Sequence, residues 1–552
     1  MNTKPFRFLL ILAGLLGLNV LANLFFFRVD LTEEKRYSLS EGTVNLLENL
    51  PSDVVVKVYL DGDMPAGFKR LQAAVRETLE EFKVYGGTKL NYRFINPDDF
   101  QTEKERKAFY EEMLNRGMVP TNVVDKKGGQ RTEKAIFPWA LVSADTLETK
   151  TLLLKGSRLA SAQEQLNQSY EGVEYQLASA ISQLTPTTHK RIGILNSVSK
   201  VPAGRLSDAI VSLQKKYDLF QVDLAKSPNL SGLDAILMVK PDVAFTDDDK
   251  FKLDQFVMHG GKAVFFVDAL KVDSIGREGT YAQPNSLDLD DLFFKWGVRV
   301  NTNLVKDLEL CGAIPLNVGV SGDKPNIQVV PWRFFPLLNN FSKSPIVRNL
   351  DAVYAHFAGT IDTVQAPGIV KTPLLMTSAY TQVLNAPVLV SYNEARRQPN
   401  PRDYKAGVKT VAYLLEGTFT SLYQNRILPS DPRSADFKAK SPVTSIMICS
   451  DGDIPQNEWD YKRNVPYPLG YDRFSQQTFA NKDFVLNVFD YLLDENGVIE
   501  SRNKEVKLRP LDKIQLAEKR TFWQVINIGA PLVLIALLGL AWQAWRKKKY
   551  AA

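Results

Sequence analysis

Two uncharged apolar runs bracket this chain, Phe8 to Phe27 over 20 residues and Phe522 to Trp545 over 24. A bilayer's hydrocarbon core of about 30 Å is crossed by about 20 helical residues, so each run is long enough to span a membrane. Aromatic residues stand where a lipid–water interface falls: Phe8 and Phe25 to Phe27 for the first run, Trp523, Trp542 and Trp545 for the second. Pro531 is tolerable inside a spanning helix. Lys4 and Arg7 precede the first run; Arg546, Lys547, Lys548 and Lys549 follow the second. Cations near span ends mark the cytoplasmic side, so both termini are expected there and about 490 residues on the opposite side. A cleaved signal peptide is the competing reading of the first run. Its apolar region would be too long and its small-residue site, Val20-Leu21-Ala22, is poor, which favours a retained anchor.

The formal charge of +6 matches the six cations of those two flanks, where no Asp or Glu occurs. The rest of the chain is therefore neutral overall, which argues against a basic surface for nucleic acid. Three His and two Cys residues are too few for a His/Cys metal centre or a disulfide framework. Cys311 and Cys449 are either paired or two buried thiols, and the sequence leaves both open.

Between the spans the hydrophobic periodicity is that of α/β domains. Val54 to Leu60 is a β-branched run expected as a buried strand. Phe68, Leu71, Val75, Leu79 and Phe82 mark one face of a helix that stops at Gly86-Gly87. A second strand, a helix over 104–116 and further strands follow, which suggests a small thioredoxin-like domain. After its first strand, where such a domain would carry Cys-x-x-Cys, the chain reads Asp61-Gly62-Asp63-Met64, so the redox chemistry is not expected. Leu166, Tyr170, Val173, Leu177, Ile181 and Leu184 mark a bridging helix closed by Pro186.

From His189 strands and helices alternate as in an open parallel sheet. The helix after "DVAF" is expected to start at Thr246 as N-cap, with acids in its first turn. The chain thus divides into an anchor at 1–28, a membrane-proximal segment at 29–52, a small domain at 53–150, a bridging helix within 160–187, a large Rossmann-like domain at 188–498, a linker at 499–520, and a second span with basic tail at 521–552.

Ligands of open α/β sheets bind beyond the carboxyl ends of the strands. Here those ends carry Asn196, Ser197 and Ser199, then Lys240, Asp268, and Asp451 with Asp453. These are the candidate ligand-binding residues, suited to a small polar ligand or a divalent cation; turn chemistry at strand ends explains the same residues more simply. No Gly-x-x-x-x-Gly-Lys-Ser/Thr and no Gly-x-Ser-x-Gly occurs in the sequence. Cys449 lies inside an apolar strand, and His189, His259 and His356 are dispersed. No catalytic residue, metal or cofactor is assigned, and the chain reads as a non-enzyme.

The stretches "YLDGDMPAGFKRLQAAVRETLEEF" with "INP", "SYEGVEYQLASAISQLTP", "FKLDQFVMHGGKAVFFVD", "LDDLFFKWGVRVN", "VAYLLEGTFTSLYQNR" and "SDGD", in this order, resemble the gliding-motility-associated ABC transporter protein family of Bacteroidetes, GldG. The resemblance spans almost the whole chain. It implies a periplasmic auxiliary domain related to class I amidotransferase-like and Rossmann-like folds, held in the inner membrane. It also implies a non-catalytic accessory or substrate-binding-like subunit that works with a separate ABC ATPase and a multi-span permease in a lipid bilayer. Family members often carry a Glu-Gly-His-Gly-Glu-like stretch after the first strand of the large domain; this chain departs from it with Asn196-Ser197-Val198-Ser199-Lys200. A solute receptor and a structural scaffold of the cell envelope are the alternative functions.

Overall fold

The computed structural model of the 552-residue chain describes residue 14 and residues 38–100, 102–127, 130–155, 161–185, 189–272, 274–276, 278–321, 324–494, 496–503 and 519–550. The first expected span, with Phe8 and Phe27, lies outside the described residues apart from Gly14. The remainder forms two units, divided between Glu505 and Val506.

In the first unit, α1 (Glu41–Glu48) leads into β1 (Val54–Val58). Then come α2 (Ala66–Gly86), β2 (Leu90–Phe94), α3 (Glu103–Asn115), the hairpin β3 (Thr121–Lys127) and β4 (Gln130–Ile136), β5 (Trp139–Ala144) and β6 (Leu147–Leu152). The sheet order is β2-β1-β5-β6, with β1 and β2 parallel and β5 antiparallel to both β1 and β6. The helical face expected from the sequence is the buried one: Leu71, Val75, Leu79 and Phe82 of α2 have no exposed surface. Helix α4 (Ala162–Leu184) starts at a Ser161–Glu164 capping box. Its Tyr170 hydroxyl donates to Gly67 O at 2.8 Å, and its Glu174 accepts from the Ser40 amide at 2.7 Å.

The far side of α4 meets the larger domain through Asn349, which donates to Glu171 at 3.0 Å, through Lys216, which donates to Ser179 at 3.2 Å, and around one carboxylate. Asp490 accepts from Tyr175 of α4 at 3.2 Å, from Tyr217 at 2.8 Å and from Lys216 at 2.9 Å. Burial and the neighbouring carboxylate hold both tyrosines well above the usual phenol range, so both stay protonated as donors.

The larger domain is built on strands β7 (Arg191–Leu195), β8 (Asp218–Val222), β9 (Ala235–Val239) and β10 (Lys262–Phe266). It continues with β11 (Cys311–Ser321), β12 (Lys324–Leu338), β13 (Asn340–Phe341), β14 (Ile369–Met376), β15 (Thr410–Thr420) and β16 (Lys440–Cys449). Its central sheet has the order β13-β14-β15-β16-β10-β9-β7-β8. Strands β8, β7, β9, β10 and β16 pair in parallel, whereas β16–β15, β15–β14 and β14–β13 pair antiparallel. The sheet is mixed, where the sequence suggested an open parallel one. Strands β15 and β16 are joined by a loop with no crossover helix, and such a connection returns the chain antiparallel.

Helices lie on both faces, and period-two alternation sorts the core between them. Leu237, Val264, Phe266 and Met447 pack with α5 (Ser207–Leu213) and α8 (Asn481–Leu493). Ile236, Met238, Phe265 and Ile448 pack with α6 (Asp247–Met258) and α7 (Asp290–Trp296). All five residues of β9 are buried, as a strand covered on both faces requires. Thr246 is the N-cap of α6, in a capping box with Asp249, and Asp247 to Asp249 fill the first turn.

The β11–β12 hairpin was not legible from the sequence. No strand was expected over these residues, and Pro315, Pro325, Pro331 and Pro336 all sit in its antiparallel register. Both cysteines are free: Cys311 is half-buried on this hairpin, and Cys449 is fully buried in β16. Residues Val498–Asn503, expected at the linker, form a short 3-10 helix.

In the second unit α9 (Arg520–Tyr550) is one helix with Pro531 inside it. Over Arg520–Lys548 it is long and apolar enough to cross a membrane, with none of its most apolar stretch buried. Trp523, Trp542 and Trp545 are exposed at 48%, 63% and 53%, and Arg546, Lys547 and Lys548 continue the helix at its C-terminal end. Cations there are also favoured by the helix dipole. Lys549 belongs to the same helix.

Candidate functional site

The carboxyl ends of the parallel strands meet at a point where the strand order reverses. The chain leaves β7 for β8 on one side, then crosses to β9 on the other. Lys240 follows β9 directly and takes a left-handed backbone (φ 45°), its amide donating to Phe266 O at 2.8 Å. This turns its side chain across the ends of β10 and β16. The ammonium lies 2.7 Å from Asp453 Oδ2, 2.8 Å from Asp453 Oδ1 and 3.1 Å from Asp268 Oδ2.

The "SDGD" turn after β16 supplies the rest. Ser450 Oγ donates to Gly359 O at 2.7 Å and to Val411 O at 3.0 Å, pinning the turn to its neighbours. Asp451, with no exposed surface, accepts from the Asp453 amide at 2.7 Å and from the His356 amide at 2.7 Å. Gly452 donates its amide to Asp268 Oδ1 at 2.6 Å. A β-carbon at 452 would lie 2.8 Å from Lys240 Cβ and 2.9 Å from Asp268 Oδ1, so only glycine fits.

Carboxylate oxygens of Asp268, Asp451 and Asp453 come within 4.8 Å of one another. Hard divalent cations favour such oxygen sets, but here the Lys240 ammonium bonds to two of the three and supplies the positive charge itself. Burial, the largest single influence, pulls Lys240 down; Asp453 and Asp268 together outweigh it, and the amine is held above its usual range. A permanently protonated amine is not a nucleophile. Burial pushes Asp268 up to about 6 against the pull of Lys240. Burial, reinforced by Asp453 and Asp268, raises Asp451 well above the carboxylate range. His356 packs on Phe335 with the rings tilted by 36° and their centroids 4.2 Å apart, and meets Tyr354 edge-on at 4.5 Å. Burial pulls its imidazole down to about 4.

Of the cluster, Lys240 and Asp453 line an open cleft of about 770 Å³. Lys200, Arg205, Asp242, Gln456, Trp459 and Tyr461 complete it. Asn457, 1% exposed, bonds both the Arg205 and Gly204 carbonyls and so ties the loop after β7 to the loop after β16.

Of the residues singled out from the sequence, Lys240, Asp268, Asp451 and Asp453 are brought together. Asn196 and Ser197 are not: Asn196 donates to Gln221 at 3.1 Å, and Ser197 Oγ accepts from the Leu224 amide at 3.1 Å, both tying the end of β7 to that of β8. Arg205, His356 and Trp459 were missed, because they reach the site from loops whose local pattern carries no strand-end signal.

The family described as "ABC-type uncharacterized transport system" matches residues 189–488, the α/β domain that carries the cleft. A second family, described only as a domain of unknown function, matches residues 33–143. No curated protein matches the chain. A solved structure titled "mmIFT52 N-terminal domain" aligns with 55% of this chain and 98% of its own, at 13% identity and a TM-score of 0.29, a value at which a shared fold is not implied. The first of these matches covers more than half of the sequence, and the chain belongs to the ABC-type transport system auxiliary family.

Proposed function

We propose that the protein is a non-catalytic accessory subunit of an ABC transport complex associated with gliding motility. It is anchored in the bacterial inner membrane with its α/β body in the periplasm, and it works with a separate ATPase and a multi-span permease. The observation that carries this reading is the family match over residues 189–488 in a chain whose sequence has no phosphate-binding loop of its own. Helix α9 supports the anchor, with its apolar length and its cationic end. The order β2-β1-β5-β6 supports a thioredoxin-like small domain in which Asp61 to Met64 stand where redox cysteines would be. The two-faced sheet supports a Rossmann-like or amidotransferase-like large domain.

In this reading ATP hydrolysis in the partner biases the body between two arrangements, so the body must contact the permease differently in each. Detergent extraction of tagged full-length chain from its native membrane tests it. Co-purification of an ABC ATPase and a permease is expected; recovery of the chain alone overturns it.

A second reading, a periplasmic solute receptor, is favoured by one observation: the cleft of about 770 Å³ lies where the strand order reverses.

A further inference from the structure

The charges lining the cleft are paired off with one exception. Lys200 meets Asp242 at 2.7 Å, and Lys240 is held by Asp453 and Asp268. Arg205 has no ion pair among the described residues, and its buried Nε has no hydrogen-bond partner among them. The side chain is half-buried and lines the cleft, so its outer nitrogens are placed to take an oxyanion. Opposite in character, Asp242 Oδ1 is a buried acceptor that also lacks a partner among the described residues. Beside them are two aromatic rings. Trp459 packs against Gly204, where a β-carbon would come within 2.9 Å of the ring, and Tyr461 is 80% exposed.

We infer that this cleft binds an anionic sugar, a ring that carries hydroxyl groups and one carboxylate or phosphate. The inference rests on the receptor reading of the cleft. The oxyanion meets Arg205, whose planar fork suits a carboxylate or phosphate. A ring hydroxyl donates to Asp242, and the C–H face of the sugar lies on the apolar faces of Trp459 and Tyr461. Alternative ligands fit less well. A bare anion leaves the aromatic pair and the Asp242 acceptor unused, and a neutral sugar leaves Arg205 unpaired. A nucleoside triphosphate would meet Asp242 and Asp453 with no glycine-rich loop to cradle its phosphates.

Calorimetric titration of the full-length chain, in a detergent without a sugar headgroup, tests this with four probes: glucuronate, glucose 6-phosphate, glucose and inorganic phosphate. Glucuronate or glucose 6-phosphate is expected to bind, and which of the two is tighter identifies the oxyanion. Glucose is expected to bind at least about tenfold more weakly, as are Arg205→Gln and Trp459→Ala with the preferred probe, while Arg205→Lys retains part of the affinity. Unchanged thermal unfolding of the variants shows that they are folded. Unaltered affinity in folded Arg205→Gln overturns the inference. Glucose or phosphate binding as tightly as the anionic sugars overturns the sugar-acid assignment but leaves the cleft a binding site. No heat with any probe overturns both, and the accessory-subunit reading is judged separately by co-purification.

Discussion

The amide of Gly452 donates to Asp268 Oδ1 across 2.6 Å, joining the turn after β16 to the end of β10. The contact requires the turn to press onto its neighbour so closely that position 452 has no room for a side chain. Gly452→Ala is therefore expected to destabilise the body by about 1–3 kcal/mol, the usual cost of forcing a methyl into a filled site. Denaturant unfolding of the full-length chain measures it, and an unshifted midpoint would mean that the turn is looser than described.

Removing Lys240 strands two carboxylates that are 9% and 13% exposed, Asp268 and Asp453. Lys240→Met is expected to cost about 3 kcal/mol, most of it from the unpaired charges left behind. Adding Asp268→Asn to Lys240→Met should recover part of that loss, since it removes one of the stranded charges. If the double variant is less stable than the single one, the ammonium is not the group that balances this cluster.

Acid stability has a component at His356. Its folded value of about 4 lies below the ordinary 6.5, so its contribution is complete above about pH 6.5 and is lost as pH falls toward 4. Asp268 runs the other way: raised from 3.8 to about 6, it contributes fully below pH 3.8 and loses that contribution as pH rises through 6. His356→Phe keeps an aromatic ring against Phe335 and removes the first component. Its Tm is expected to drop less than that of the wild type between pH 7 and pH 5. Identical drops would show that protonation of His356 does not contribute.

Topology can be read with reporters. Alkaline phosphatase fused after Leu50 is expected to be active, and the same enzyme fused after Ala552 inactive. Protease added to spheroplasts should digest the body. Replacing Arg546 to Lys549 with glutamates should lower the amount of correctly inserted chain, because in the proposed topology these cations mark the cytoplasmic end of α9.

Much of the fold was legible because its signals are local. The N-cap at Thr246, the apolar face of α2 and the strand ends at Lys240, Asp268 and Asp451 each follow from a few adjacent residues. What was not legible depends on distant partners. Arg205 and Trp459 meet because Asn457 ties their loops together, and His356 reaches Asp451 through a backbone amide that any residue type would provide. The prolines of β11 and β12 disguised strands that lie outside the central sheet, where a missing donor breaks no central ladder.

The knot at Asp490 has a mechanical consequence. Rotating the bridging helix on the larger domain breaks the Tyr175 bond to a carboxylate that Tyr217 and Lys216 also hold, and a hydrogen bond to a charged group costs about 1.5–3 kcal/mol to lose. The carboxylate therefore latches the helix against small rotations.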